Sequence, residues 1–198
     1  MLKMRKGFKV PFPEMLSEGY QRLNNQLIAN VNADKIEEML THFIDDHNEP
    51  LFFILELPSH QDDEIEISPN KVESFHKDVY FIDGCSQDKA KLIMKNFGTL
   101  MINDGMCSFG FGGHTTHDEI MIEKYNLLMI YTSNTHQFTE FFKQHDIKEV
   151  ENLKTAWNTF SKDHPGESSR IITDEIDVFK LPELLYDWGI YYYEKRVD

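Results

Sequence analysis

The residue types best suited to chemistry crowd into one stretch, positions 106 to 119, which reads MCSFGFGGHTTHDE. His114 and His117 stand three residues apart, a spacing at which two imidazoles on a turn can bind one Zn²⁺. A catalytic zinc site needs a further protein ligand. That ligand could come from one of three neighbours: Cys107, Asp118 or Glu119. Metal-assisted hydrolysis by this stretch is therefore one hypothesis for the function.

The same stretch admits three other interpretations. Cys107 could act as a thiolate nucleophile with His114 or His117 as its base. The glycines could cradle a phosphate, but that site needs a helix and a Lys-Ser/Thr pair after the loop, and neither follows. The remaining interpretation is structural. Gly110 and Gly112 alternate with phenylalanines, as in a strand that bulges or is closely covered, and Cys107 has the apolar neighbours of a buried thiol. We expect the structural interpretation to hold.

The second cysteine, Cys85, precedes Ser86, which is a predicted helix N-cap. A thiolate at a helix N-terminus has a lowered pKa, so Cys85 is the better candidate for a reactive thiol. Two cysteines without a Cys-x-x-Cys motif provide neither a disulfide framework nor a thioredoxin-like site. No cofactor is expected.

The chain of 198 residues carries a formal net charge of −14. This balance argues against nucleic-acid binding, which requires a basic face. The densest acidic cluster comprises Asp62, Asp63, Glu64 and Glu66. It lacks the central glycine of a calcium-binding loop, so an EF-hand is excluded. We expect the segment 59–70 to be a loop or a short edge strand, and we expect these four acids to be exposed and to contact a basic partner protein.

The first nine residues contain four bases and no acid. No apolar segment follows them, which argues against a signal peptide, and residues 1–12 are expected to form a basic arm that frays. The chain has no run of about 18 apolar residues, so no membrane-spanning helix is predicted. These features together predict a cytoplasmic location.

An antiparallel helix pair is predicted near the N-terminus, because apolar residues recur there at three- and four-residue steps. The first segment contains Leu16, Tyr20, Leu23, Leu27 and Val31, and the second contains Ile36, Met39, Leu40, Phe43 and Ile44. The second segment carries charged residues on its outer face: Asp34, Lys35, Glu37, Glu38 and Asp45. The join between the segments is short, as in a helical hairpin.

Strand patterns dominate the middle of the chain. Buried strands are predicted at 51–57 and 78–83, followed by a helix at 86–97 with Gly98 as its left-handed C-terminal residue. The Asp-Gly pair at 104–105 predicts a hairpin of strands 99–102 and 106–111, and a second hairpin is predicted around residues 125 and 126.

Two further helices are predicted around the phenylalanines at 138–142 and over 150–160, then a strand at 170–180. A short helix at 182–187 precedes a terminal strand, in which at least one of three consecutive tyrosines should be exposed. The chain is predicted to be one α+β domain spanning 1–198. Its central, mainly antiparallel sheet would carry the N-terminal helix pair and the other helices.

Taken together, these features favour a non-catalytic acidic protein that covers a basic partner. The chain resembles bacterial immunity proteins, which neutralise basic toxins, in being small, acidic, α+β and free of motifs. This likeness involves no matched residues. The alternative is the hydrolase built on the 106–119 stretch. The sequence leaves the oligomeric state undetermined.

Overall fold

The computed structural model describes residues 1–59, 66–68, 71–72 and 76–197, with side chains for 1–59 and 76–197. The strands are β1 (Phe8–Lys9), β2 (Gly19–Leu23), β3 (Gln26–Asn30), β4 (Leu51–Pro58), β5 (Glu66–Ser68), β6 (Lys71–Val72), β7 (Lys77–Cys85), β8 (Ser108–Gly113), β9 (Glu119–Glu123), β10 (Leu127–Tyr131), β11 (Glu167–Ser168) and β12 (Tyr191–Arg196). The α-helices are α1 (Ile36–Asp46), α2 (Gln87–Ile93), α3 (Thr99–Asn103), α4 (Phe138–Gln144) and α5 (Leu181–Leu184).

Eight of these strands form one sheet in the order β12-β7-β4-β8-β9-β10-β3-β2. Every neighbouring pair is antiparallel, which confirms the predicted α+β class and the antiparallel sheet. The strands predicted at 51–57 and 78–83 are present as β4 and β7. The hairpin predicted around residues 125 and 126 is also confirmed, as β9 and β10.

One face of the sheet, the inner face, carries the helices. The apolar side of α1 packs there with α4 and with the continuous helical segment formed by α2, a π-helical turn (Met94–Gly98) and α3. Phe43 of α1, Phe53 of β4 and Phe111 of β8 are fully buried in this core. Since α1 matches its predicted apolar stripe residue for residue, the regular 3.6-residue period was a reliable signal here.

The prediction of the first helix in the N-terminal pair is wrong. Residues 19–30 form the hairpin of β2 and β3 instead, with Asn24 in the left-handed region at φ 46°. The steps between apolar residues that suggested a helix also fit two short strands. Leu27 and Ala29 alternate toward the core, and the Asn-Asn pair at 24–25 supplies the turn.

The Asp-Gly hairpin predicted at 104–105 is also wrong. Residues 99–103 are helical, and Gly98 lies inside the helical segment with φ −57°. The buried Asp104 carboxylate accepts hydrogen bonds from the backbone N–H groups of Met106, Cys107 and Ile171. The aspartate therefore ends a helix rather than turning a hairpin.

Two later predictions fail because the chain is tied to other elements. In place of a helix over 150–160, residues 156–159 form a 3₁₀ turn. The Val150 N–H donates to the Tyr20 carbonyl oxygen at the outer edge of β2, where Glu149 forms a parallel bridge with Tyr20. In place of a strand over 170–180, Asp174 and Glu175 form a left-handed turn with positive φ. The helix predicted at 182–187 corresponds to α5 and a 3₁₀ turn, and the terminal strand is β12. All three of its tyrosines are exposed.

The basic arm at residues 1–12 packs against the rest of the chain. Leu2 and Phe8 are buried in a small cluster with Tyr125, and β1 pairs with β11. Arg5 is 1% exposed, lies over the Phe8 ring and donates to the Glu123 carbonyl oxygen. Its Nε and Nη1 have no hydrogen-bond partner among the described residues, and burial lowers the pKa of this guanidinium to about 10.

The opposite, outer face of the sheet carries a smaller apolar cluster of Ile54, Val79 and Met121. Gly110 lies at the centre of this face, where a Cβ would stand 2.0 Å from the Ile120 carbonyl oxygen. Only glycine therefore permits the close approach of β8 and β9. Within the described ranges, no helix combines the length and apolar character needed to cross a bilayer.

Candidate functional site

Strand alternation divides the 106–119 stretch. Cys107 is fully buried, as the structural interpretation expects. Asp118 and Glu119 are adjacent in sequence but lie in different environments: Asp118 contacts the helices, whereas Glu119 lies on the outer face of the sheet. His114 and His117 are both exposed, and His114 pairs with Asp83 at 3.3 Å. The residues proposed to act together in a catalytic site therefore lie in different environments.

The two thiols are poor nucleophiles. Cys85 is fully buried, and desolvation raises the pKa of its thiol to about 11. The lowered pKa predicted for Cys85 at the helix N-terminus is wrong, because burial outweighs the effect of the helix that begins beside it. Burial also raises the pKa of the Cys107 thiol, and the nearby Asp104 carboxylate raises it further.

The metal hypothesis lacks a complete ligand set in the part of the chain that the structure describes. There, no three His, Cys, Asp or Glu side chains are grouped so that they could hold a metal ion. Asp118, one of the three proposed third ligands, is bonded to His47 instead.

The predicted partner-binding cluster lies almost wholly outside the described residues. Asp62, Asp63 and Glu64 are not described, and for Glu66 only the backbone is described, as the first residue of β5. The contact that we assign to these four carboxylates stays a prediction.

Three glutamates form a group on the outer sheet face: Glu56, Glu119 and Glu123. Glu56 is 4% exposed and is paired with Arg196 and Lys77. Desolvation raises the pKa of the Glu56 carboxyl, and Glu123 raises it further. Desolvation followed by repulsion from Glu56 likewise raises the pKa of Glu119, whose carboxylate makes no ion pair or hydrogen bond with any described residue. This group therefore carries charges that are costly to keep desolvated.

A different acidic surface lies where α1 meets the C-terminal end of α4. Here a groove of about 710 Å³, which we call the acidic groove, is lined by four carboxylates and two imidazoles. They belong to Asp34, Glu37, Glu38, Asp45, His42 and His145. No lysine or arginine is among its lining residues.

Lysines outside the groove neutralise only part of this charge. Lys3 bridges Asp34 at 2.8 Å, and Lys91 bridges Asp45. Glu37 makes no side-chain ion pair or hydrogen bond with a described residue, and Glu38 has only a distant contact, 3.8 Å to His145. The groove therefore presents uncompensated negative charge on exposed side chains.

The two histidines of the groove contact each other. His42 Nδ1 lies 2.9 Å from His145 Nε2, and His42 Nε2 lies 3.0 Å from Asp46 Oδ2. Burial lowers the pKa of the His145 imidazole, and the neighbouring His42 lowers it further. Since one proton serves the contact between the rings, the two facing nitrogens cannot both carry a proton.

Beside the groove lies a smaller cavity of about 250 Å³, which we call the phenylalanine pocket. Its aromatic walls are Phe43, Phe138 and Phe141. Its polar lining residues are Asp46, His47, Thr116, Asp118 and Gln137. Asp118 Oδ2 accepts a hydrogen bond from Gln137 Nε2 at 2.7 Å and lies 3.3 Å from His47 Nε2.

Sequence reasoning missed the pocket because its polar residues are far apart in the chain. His47 precedes Asp118 by 71 positions, and Gln137 follows Asp118 by 19. No spacing rule connects them. The acidic groove did have a sequence signal, namely the acids on the outer face of α1, to which the sequence alone assigned no function. Comparison with known proteins adds no relative, since no family model, curated protein or solved structure matches this chain.

Proposed function

We propose that this chain is a non-catalytic protein that binds a basic partner protein, and that the acidic groove is one contact surface. The observation that carries the proposal is the uncompensated charge of Glu37 and Glu38 in a concave, lysine-free groove. The net charge of −14 supports it, because a negative field accelerates encounter with a basic surface.

The acidic cluster of Asp62, Asp63, Glu64 and Glu66 is the second proposed contact. Its support is compositional: four acids within five positions favour exposure and attract the same kind of partner. The acidic groove and this acidic cluster contain different side chains. Their contributions to the association rate can therefore be measured separately, each in its own charge-neutralised variant.

The experiment begins with capture of the partner from the native host and its identification. Association rates of the purified pair are then measured at low and physiological salt. Replacing Glu37 and Glu38 by Gln should slow association at low salt by about threefold or more, because exposed charges act mainly on the association rate. The difference should shrink at physiological salt, where screening acts within about 8 Å.

In the variant of the acidic cluster, Asp62 and Asp63 are changed to Asn, and Glu64 and Glu66 to Gln. It should also associate more slowly at low salt, with a smaller difference at physiological salt. The matched control is Glu183→Gln with Asp187→Asn, two exposed acids outside the groove, which should leave the rate close to that of the wild type. An acidic partner would refute the proposal. So would equal slowing in the control and in the groove variant.

A finer proposal is that the partner is a basic toxin and that this chain acts as its immunity-type inhibitor. Its support is limited to the small, acidic, motif-free character of the chain. The test is the activity of the captured partner, which should disappear at a one-to-one ratio with this chain. A partner without toxic or enzymatic activity would eliminate this version while leaving the binding function intact.

A further inference from the structure

The phenylalanine pocket offers an unusual combination of aromatic walls and free acceptor oxygens. Asp118 is 2% exposed, and only its Oδ2 is engaged by side chains. Its Oδ1 has no hydrogen bond to a described residue, and the same is true of Gln137 Oε1. Asp46 adds a second carboxylate at the rim. The unused polar capacity of the pocket therefore consists mainly of acceptors.

His47 does not serve the pocket as a base. Its Nδ1 lies 2.7 Å from the Phe43 carbonyl oxygen, and its Nε2 faces Asp118. Because both facing atoms are acceptors, neither nitrogen is free to take a proton from a ligand. The ring also stacks on Phe43, with centroids 3.8 Å apart. The role of His47 is thus to hold Asp118 in place, and the arrangement favours binding over catalysis.

The charge balance of the lining selects a cation. Asp46 and Asp118 outnumber the single imidazole, so the lining is negative in either protonation state of His47. Aromatic faces attract guanidinium and ammonium groups, and they do so more strongly when the cation is desolvated. A ligand that donates hydrogen bonds and carries positive charge can bind both the acceptor oxygens and the aromatic rings of the pocket.

The size and position of the pocket point to a single side chain. Its volume of about 250 Å³ lies below the roughly 300 Å³ of the smallest drug-sized sites. It adjoins the acidic groove, because Phe141 stacks on His42 of the groove at 4.8 Å and Asp46 pairs with the same histidine. A basic protein seated on the groove would have its side chains within reach of the pocket.

We infer that the phenylalanine pocket receives one arginine or lysine side chain of the basic partner and anchors it. This inference rests on the proposed function and adds the residue class that the site recognises. The exposed charges of the acidic groove would then raise the association rate. The phenylalanine pocket would instead slow dissociation, through desolvated contacts around one cation. Arginine in a central pocket is a common binding hot spot.

The first experiment uses N-acetyl-arginine amide and N-acetyl-lysine amide as probes in an NMR titration of the full chain. At least one of the two should cause saturable shifts of the Phe43, Phe138 and Phe141 ring signals, with a dissociation constant on the order of millimolar. N-acetyl-citrulline amide has nearly the shape of the arginine probe without its charge and should cause none. Equal responses to citrulline, or shifts confined to the groove, would overturn the inference.

Gln137 provides a matched pair of variants at an exposed position. In Gln137→Lys, the ammonium can replace the amide as donor to Asp118 and occupy the pocket in cis. It should therefore fold normally but lose the probe-induced shifts. In Gln137→Met, the carboxylate stays available, and the dissociation constant should stay within about threefold of wild type. Retained probe binding in Gln137→Lys would contradict the inference.

The captured partner separates the two proposals. Gln137→Lys should raise its dissociation constant about tenfold, chiefly through faster dissociation. Glu140→Gln, three residues along the chain in α4, changes the net charge equally and should have little effect on dissociation. If groove variants slow association but Gln137→Lys behaves like Glu140→Gln, the anchor is refuted and the proposed function stands. If the partner is acidic, the proposed function fails, while the probe titration still decides whether the pocket binds cations.

Discussion

The 106–119 stretch and the face formed by α1 and α4 both contain histidines and acids, but folding treats them in opposite ways. In the stretch, the sheet separates neighbours, so that Cys107 is buried, His114 is exposed and Glu119 lies on the outer face. At the helices, His47, Asp118 and Gln137 come from distant positions and meet in one pocket. A high density of reactive residue types along a strand is therefore a poor guide to a site, because successive strand residues face opposite sides.

The largest expected effect concerns the structural role of the stretch. Gly110→Ala should lower the free energy of unfolding by about 4 kcal/mol or more, because its Cβ would meet the Ile120 carbonyl of the paired strand. Urea denaturation measures this loss. Gly112→Ala is the control. Its Cβ would meet the Phe52 ring, a half-buried side chain that can move, so the loss should be nearer 1–2 kcal/mol. Equal losses would argue against a special role for Gly110.

The next effect compares one histidine from each region. His47→Leu should cost about 3 kcal/mol, because it leaves the buried Asp118 carboxylate without one of its two partners. His114→Leu removes only an exposed pair with Asp83 and should change stability by less than about 0.5 kcal/mol. Thermal unfolding of the two variants measures the difference. Similar midpoints would mean that the His47–Asp118 contact contributes little.

A smaller effect distinguishes desolvated from exposed carboxylates by the sign of their pH dependence. The raised pKa of Glu119 means that the folded state binds its proton more readily than the unfolded state does. Wild-type stability should therefore fall as pH rises from 4.5, the ordinary pKa of a glutamate, through the raised pKa of the folded state. Glu119→Gln removes this loss, so the variant should gain at most about 1 kcal/mol over wild type at pH 7 and nothing at low pH.

Asp34→Asn is the control of opposite sign. The hydrogen bond with Lys3 lowers the pKa of the Asp34 carboxyl. Its contribution to stability is therefore present above 3.8, the ordinary pKa of an aspartate, and is lost as pH falls through the lowered pKa of the folded state. Asp34→Asn should thus be slightly less stable than wild type at pH 7. The free energies of unfolding of both variants, measured by denaturation between about pH 3 and pH 7, where carboxyl groups titrate, test this difference in sign. Profiles of the same sign would contradict the assigned environments.

The smallest expected effect on stability belongs to the acidic groove. Replacing Glu37 and Glu38 by Gln should alter the free energy of unfolding by less than about 0.5 kcal/mol, because both side chains are exposed and without strong partners. Urea midpoints measure it. A large loss would show that these acids stabilise the fold, and the binding role proposed for them would lose its basis.

Particular elements show how far the sequence could predict the fold. α1, β4 and the β9–β10 hairpin were predicted because each has a strong local period or turn that agrees with its tertiary environment. The β2–β3 hairpin was predicted as a helix because its apolar spacing fits both periods, and the Asn-Asn turn was not given enough weight. Residues 147–153 follow the edge of β2 through contacts with residues more than a hundred positions away, so no local pattern encodes them.

The sequence by itself determined the acidic balance of the chain, the antiparallel character of its centre, the buried stripe of α1 and the outward acids beside it. These properties depend on composition and on residue spacing within one element, and both can be read from the amino-acid sequence. The tertiary structure alone decided that Asp118 faces the helices while Glu119 faces away, that Cys85 is too buried to react readily, and that α1, α4 and the end of the 106–119 stretch enclose one pocket. Such facts depend on which elements pack together. The free energy of that packing is shared among residues far apart in the chain, so no local pattern contains it.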